Sequence, residues 1–365
     1  MGDGVTPSDP RSAVTIGWRD MLWDASAVHA ARPRTREKDT DVMNTQALPP
    51  TPSLADWPSL RRTHQGWRAA VEEICARHGF PASELVPARD GTSVVFTTKR
   101  HVIKLYPPFW ESGAAAESMI LGRVEGQLGV PTPEVLATGS LDGWPYLAMT
   151  RLEGVILADV WQGLAESHHR TIARQLGEIL ARLHTHPTSG LPAHPVLAER
   201  WMRLVTRPIE ECVAIHRGHG APEVWLVQLP AFLERLPPLH PPDYTPVLVN
   251  GDVHWWHLLV TERDGGWWLA GLFDFDDATL GWWEYELAVP ALSLMAGQPA
   301  VLSECLRGYG AERLLTDIEL PRRLMAYALL NRYWGLDFML QIADPTHHCV
   351  TFDDLARALF AFAPV

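Results

Sequence analysis

Hydrophobic positions along the chain change their period twice, and the changes mark its organisation. In "PSLRRTHQGWRAAVEEICARHGF" the residues Trp67, Ala70, Val71 and Ile74 recur at steps of three and four, the spacing of one helix face, and Gly79 stands where such a helix stops. The period then becomes two. "SELVPA", "GTSVVFTTK" and "HVIKLYPP" are short, rich in β-branched residues and separated by "RDG" and "KR", which predicts antiparallel strands joined by tight turns. A helix in "ESGAAAESMILGRVEGQL" and two further strands, "VPTPEVLATGS" and "WPYLAMTRLEG" about the turn "LDG", follow. After Gly154 the pattern is mainly helical, and in "HHRTIARQLGEILARLHTH" Ile172, Leu176, Ile179, Leu180 and Leu183 fall on one face. One hairpin interrupts it: "VLVNGDVHWWHLLVTERDGGWWLAGLFDFDDA" has strand-like runs on both sides of the turn signal "ERDGG".

Strands, helix, strands, then helices predict an α+β chain of two lobes. Residues 57–153 form the lobe with the small antiparallel sheet and residues 154–365 the mainly helical one, with the boundary near "MTRLEG". Residues 1–56 mix Asp, Pro, Arg, Thr and Ser without lasting periodicity and read as a flexible leader. Pockets tend to form between such lobes.

Composition narrows the partners. A chain of 365 residues, 47% hydrophobic, can bury a substantial core. Its formal charge of -12 and pI near 5.7 argue against a nucleic-acid backbone, whose binding runs on clustered Lys and Arg, and favour a small cationic or neutral ligand. The four cysteines, Cys75, Cys212, Cys305 and Cys349, form no C-x-x-C pair, the usage of reduced thiols and not of a disulfide framework or a zinc cage. No apolar run approaches the roughly 20 residues that span a bilayer, and the amino terminus lacks the basic-then-apolar order of a signal peptide. The expectation is a cytoplasmic protein that engages no membrane.

The hairpin carries the candidate chemistry. Asp252 lies before its first run and Asp274 at the end of its second, so a hairpin brings carboxylates 22 positions apart side by side. Phosphoryl transfer from a nucleotide needs a Lys on the phosphates, an Asp to hold divalent metal and a second Asp to orient the acceptor hydroxyl and take its proton. In the protein-kinase pattern the catalytic Asp and a metal-binding Asn are spaced D-x-x-x-x-N, and a metal-binding Asp comes from a later D-F-G. Asp252 and His257 have that spacing, and Asp274-Phe275-Asp276 is similar to the later site. Lys104 in "VIKLY" resembles the strand lysine, with Glu117 in "AAAESM" at the place of its helix partner.

These segments together resemble the aminoglycoside phosphotransferase and choline kinase-like family, the small-molecule branch of the protein-kinase-like fold. "VNGDVHWWHLLV" resembles its H-G-D-x-H-x-x-N loop, "GLFDFDDATLGWWEYELA" its I-D-W-x-x-A-x-x-G-x-x-x-Y-D-L-A segment, and "LARLHTHP" lies on the helix before. The resemblance covers roughly residues 70–300 in consistent order. It implies ATP-dependent transfer to a hydroxyl of a small molecule, with aminoglycosides and other amino sugars among the acceptors. Asp252 is then the catalytic base, Asp274 the magnesium ligand that bridges the nucleotide phosphates, and Lys104 the phosphate clamp tied to Glu117. Met149 to Leu152 becomes the hinge whose backbone receives adenine, and Asp90-Gly91-Thr92-Ser93 the loop above the phosphates, with Ser93 as its contact.

Two departures qualify that reading. Asn250 stands at the first position of the H-G-D loop, and His257 replaces the metal-binding asparagine. Magnesium prefers oxygen ligands, whereas imidazole suits softer divalent ions, so three roles stay open for His257: water-mediated contact, a preference for manganese, or a donor to a phosphate oxygen. His254 matches a histidine that is usually a structural hydrogen-bonder of the loop, Asp276 and Asp277 stand close enough to assist Asp274, and Trp255 and Trp256 are expected to pack against the helical lobe. Asp317, Glu319, Asp337, Asp344, Asp353 and Asp354 read as a solvated acidic surface ahead of a trap for a cationic acceptor. Two alternatives are a catalytically weak kinase-like nucleotide-binding protein and, from "GDVH" followed by His257, a metal-dependent phosphoesterase.

Overall fold

The computed structural model describes residues 48–88, 91–191, 195–236, 238–331, 333–343 and 349–363. The leader up to residue 47, Asp90 and Asp344 lie outside them. The described chain begins with helices α1 (Trp57–Thr63) and α2 (Trp67–His78), and α2 ends as its pattern requires, at Gly79 in the left-handed conformation with φ 71°. Strands β1 (Val86–Pro87), β2 (Val94–Thr97) and β3 (His101–Leu105) precede helix α3 (Glu111–Val124), and β4 (Val135–Leu141) and β5 (Trp144–Thr150) follow it. The five strands make one antiparallel sheet in the order β1-β2-β3-β5-β4.

Alternation along β3 gives the sheet two different faces. Ile103 and Leu105 are buried in a cluster with Trp57, Trp67 and Trp144, while Lys104 points the other way, toward α3. The first described residues, grouped by composition with the leader, reach that cluster: Leu48 is buried in it and the Trp144 indole donates to the Pro49 carbonyl at 3.0 Å. From the end of β5 the chain passes to the second lobe through Gly154, whose φ of 134° suits only glycine and whose added Cβ would lie 3.0 Å from the Val260 carbonyl.

The second lobe opens with β6 (Val155–Ile156), α4 (Leu157–Val160) and the long α5 (Glu166–Thr185), then α6 (Pro195–Val205), α7 (Ile209–Gly218), α8 (Glu223–Leu226) and α9 (Leu229–Glu234). β7 (Val247–Val249), β8 (Leu258–Arg263), β9 (Gly266–Leu272) and β10 (Thr279–Gly281) come next, and α10 (Trp283–Ser293), α11 (Pro299–Tyr309), α12 (Leu320–Leu330), α13 (Leu336–Ala343) and α14 (Phe352–Phe360) complete it. β8 and β9 are the hairpin expected around "ERDGG", paired from Leu258↔Leu272 to Arg263↔Gly266. β7 pairs with β10 instead, so the segments before and after the hairpin are tied to each other as well. The expected α+β arrangement of an antiparallel-sheet lobe and a helical lobe is therefore present. Among the described residues no helix is long and apolar enough to cross a membrane.

Helices α5 and α11 touch backbone to backbone, because each presents a glycine to the other. A Cβ at Gly177 would lie 2.0 Å from the Cys305 carbonyl oxygen, and one at Gly308 would lie 1.9 Å from that of Arg174. Neither neighbour is a side chain that could turn away. Replacing Gly177 with Ala is expected to lower unfolding free energy by about 3 kcal/mol or more, the upper range for overpacking, as read from urea denaturation.

His216 is buried between α7 and the segments following α12. Its Nε2–H donates to the Leu329 carbonyl at 2.9 Å and its Nδ1 accepts the Leu336 N–H at 3.1 Å, so only the neutral ring satisfies both. Burial accordingly lowers its pKa from the ordinary 6.5 to about 4. The unfolded chain then binds the extra proton first, and the stability from neutral His216 is complete above pH 6.5 and lost as pH falls toward 4. At pH 5 the loss is about 2 kcal/mol, at roughly 1.4 kcal/mol per unit below the unfolded pKa. The gap in urea midpoint between the parent and His216→Gln should therefore narrow between pH 7.5 and pH 5.

Candidate active site

The loop after β7 is shaped by a glycine and held by a buried carboxylate. Gly251 adopts φ 86°, and a Cβ there would lie 2.8 Å from the Asp277 carbonyl, so no other residue makes this turn beside that chain. Glu286, fully buried on α10, accepts the N–H groups of Asn250 and, at 3.1 Å, of Gly251. Behind it, His184 on α5 approaches Glu286 at 3.8 Å and shares a 2.7 Å hydrogen bond with the Tyr309 hydroxyl on α11. Glu286 and His184 received no role from the sequence, although an acid inside the apolar stretch "EYELAVPALSL" was a usable sign of a partnered carboxylate.

Asn250 is the link between the two acids. Its Oδ1 accepts the Asp252 N–H at 3.0 Å and its Nδ2 donates to the Asp274 carbonyl at 2.7 Å. Asp274 itself sits at φ 63°, a left-handed conformation that is uncommon for a residue with a side chain and is kept here by such bonds. The Phe275 N–H next to it donates to Glu117 Oε1 at 3.3 Å. The departure at position 250 thus retains a donor and an acceptor in the two places the loop uses.

The sheet delivers the cation. Lys104 Nζ lies 2.9 Å from Glu117 Oε2, 3.2 Å from Asp274 Oδ1 and 3.5 Å from Asp276 Oδ2, so one ammonium joins both lobes. Tyr106, two residues on and on the same face, donates its hydroxyl to Glu117. Arg200 on α6 stands 3.9 Å from Asp276 and donates to the Ala278 carbonyl at 2.9 Å. Burial would lower the Lys104 pKa, but Asp274, Asp276 and Glu117 outweigh it and hold the ammonium well above its ordinary value. Burial raises Glu117 and Asp276 against the opposing pull of Lys104. For Asp274 burial also acts upward, yet the Lys104 ammonium keeps its carboxyl well below the usual range.

Asp252 is recessed, with 17% of its side chain exposed, which leaves it open to a small molecule. Burial raises its pKa well above the ordinary value, with Asp277, Asp274 and Glu286 adding to the effect and His257 opposing it. Two imidazoles flank it, and their hydrogen bonds assign the protons. His254 accepts the Trp256 N–H on Nδ1 at 3.2 Å, so its Nε2 carries the proton and faces Asp252 Oδ2 at 3.4 Å. His257 donates from Nδ1 to the Asp252 carbonyl at 2.9 Å, so the lone pair of its Nε2 faces Asp274 Oδ2 at 3.6 Å. Burial holds both rings neutral, His254 down to about 4. His254 is the loop hydrogen-bonder its position implied.

Glu117, Asp274 and Asp276 bring carboxylate oxygens within 4.8 Å of one another, the hard donor set that suits magnesium. A lone pair on His257 Nε2 and a carboxylate oxygen of Asp274 face each other with no proton between them, an arrangement that a divalent cation would satisfy. The residues present therefore fit a divalent ion at Asp274.

Other expectations are met unevenly in space. Trp255 packs partly against the core of the helical lobe, while Trp256 is turned outward. Ser93 is buried where the chain enters β2, and its hydroxyl has no hydrogen-bond partner among the described residues. Met149 is paired within β5 to Val102 and Val135, and Leu152 lies beyond that strand with its side chain against Gly271 of β9. The acidic residues late in the chain are largely occupied: Asp317 pairs with Arg323, Glu319 and Asp353 pair with Arg322, and Asp354 caps α14.

A model of the phosphotransferase enzyme family matches residues 84–327, more than half of the chain. Solved structures share the fold. The GDP and kanamycin complex of APH(2")-IIia is 16% identical with a TM-score of 0.58, over 75% of this chain and 97% of that one. The GDP complex of wild-type aminoglycoside 2'-phosphotransferase-IIIa is 17% identical with a TM-score of 0.56, over 79% and 97%. Aminoglycoside-3'-phosphotransferase of type VIII is 20% identical with a TM-score of 0.53, over 74% and 99%. With Lys104 and the carboxylates of Glu117, Asp274 and Asp276 brought together from both lobes, the chain belongs to the phosphotransferase enzyme family and is a small-molecule kinase.

Proposed function

We propose that the protein transfers the terminal phosphoryl group of ATP to a hydroxyl of a small molecule, with amino sugars as the leading acceptor class. The observation that carries this is the convergence of Lys104, Asp252 and Asp274, from three separate segments, within one set of hydrogen bonds. The kanamycin bound by one structure of the same fold supports the acceptor class.

In this reading Lys104 holds nucleotide phosphate oxygens while Glu117 and Tyr106 fix its position. Ser93 offers the phosphates a hydroxyl that is without a partner among the described residues, and Met149 and Leu152 line the adenine side. Asp252 orients the acceptor hydroxyl and takes its proton, a role helped by the raised proton affinity that burial and neighbouring carboxylates give it. Asp274 and His257 hold the divalent cation. Magnesium, when bound, neutralises charge on the transferred group. An imidazole in that shell favours manganese over magnesium.

The alternative of a weak, merely nucleotide-binding protein rested on Asn250 and His257. Asn250 keeps the bonds between the two acids, and the His257 tautomer leaves a lone pair toward Asp274, so both departures are compatible with turnover. A metal-dependent phosphoesterase would use His254 as a ligand, but the Trp256 N–H occupies its Nδ1 and leaves Nε2 protonated.

Two measurements follow from these roles. Asp252→Asn should lower phosphoryl transfer, assayed as ATP consumption across a panel of amino sugars, by about 10²–10⁴-fold while affinity for a non-hydrolysable ATP analogue stays unchanged. A variant as active as the parent removes Asp252 from its role. His257→Asn should lower the ratio of manganese-supported to magnesium-supported turnover, and an unaltered ratio would show that His257 does not reach the ion.

A further inference from the structure

The region that matches the family model begins at residue 84, and the described chain ahead of it packs on the sheet face opposite Lys104 and reaches the turn before β2 from there. Trp57, at the start of α1, is 3% exposed and donates its indole N–H to the Thr92 carbonyl at 2.8 Å. Thr92 lies in the turn before β2, between Gly91 and Ser93. We infer that Trp57 is a positioning residue for nucleotide binding: the segment before the family-matched region sets the orientation of the phosphate loop.

One planar peptide couples the two. The Thr92 carbonyl and the Ser93 N–H belong to the same trans unit, in which they point in opposite directions. Fixing the carbonyl on Trp57 therefore turns the Ser93 N–H away from the N-terminal segment. Gly91, at φ 124°, gives this turn little stiffness of its own, so the external bond decides how the peptide sits. The Ser93 side chain beside it is buried with a hydroxyl that no described group satisfies, as a site reserved for a ligand oxygen would be.

Trp57 is itself immobilised. Its ring packs against Trp67, Trp144 and Trp110 with centroids 6.0, 5.7 and 6.4 Å away. Trp110 is the residue immediately before α3, the helix that carries Glu117, and Trp144 reaches back to the Pro49 carbonyl. One aromatic cluster thus references the phosphate loop to the start of the helix that carries Glu117.

The inference rests on the kinase reading above, and the test separates the two. Trp57→Phe removes the N–H and keeps an aromatic ring, and β-(3-benzothienyl)alanine at the same position keeps the whole bicyclic shape without the N–H. Affinity for the non-hydrolysable ATP analogue with magnesium, and for adenosine, is measured by calorimetry beside the parent and Lys104→Ala. Both Trp57 replacements should weaken the analogue about five-fold, the size that one neutral hydrogen bond allows, and leave adenosine unchanged. Amide exchange at Ser93 should quicken in both. If the benzothienyl protein binds the analogue as tightly as the parent does, the inference is overturned even where phenylalanine loosens the packing. Equal weakening of adenosine would mean a general loss of structure and would overturn it too. Absence of analogue binding in the parent would sink the kinase reading and this inference together, whereas binding lost only in Lys104→Ala sinks this inference alone.

Discussion

A single buried ammonium holds the two lobes in register. Lys104 arrives on a strand of the first lobe, Glu117 on the helix packed over it, and Asp274 and Asp276 come from the hairpin end of the second. A buried charge without partners would cost several kcal/mol, and three carboxylates around one ammonium over-supply the compensation. The surplus is negative, and Arg200 at 3.9 Å from Asp276 meets only part of it. Such a cluster is most comfortable with a further cation present, which is an electrostatic reason for the proposal that nucleotide enters with a metal ion.

The second constraint is geometric. The proposed reaction requires Asp252 to face an acceptor while Asp274, 22 residues later, faces the nucleotide, and the hairpin between them only brings the chain ends near. Asn250 sets the remaining freedom by bonding both backbones through one amide. An amide does this at every pH, whereas an imidazole in the same place would have to keep one nitrogen protonated and the other bare. Replacement of the usual histidine therefore does not by itself dismantle the loop.

Much of this was legible in the sequence, because the signals were local. Period-two runs marked β2, β3, β4 and β5, the "ERDGG" turn marked the hairpin, and the sequence already singled out Lys104, Asp252 and Asp274, which the fold brings together. What stayed hidden depends on contacts between distant segments. Glu286 looks like one acid in an apolar helix until two amides are found pointing at it, and no spacing rule joins Trp57 to Thr92 across 35 residues. The composition of residues 48–56 suggested a leader, yet Leu48 is buried in a cluster that extends as far along the chain as Trp144. Proton positions on His254 and His257 were likewise beyond the letters, since each is decided by a neighbouring backbone group.

Glu286, which accepts the catalytic loop, stands before His184 on α5, and His184 is bonded to Tyr309 on α11. These are the two helices that meet glycine against backbone at Gly177 and Gly308. His184 meets Glu286 at 3.8 Å, so the backbone crossing and the loop that carries Asp252 share one line of side-chain approaches. A substitution at the crossing is therefore felt beyond the two helices, as far as the loop that Glu286 holds.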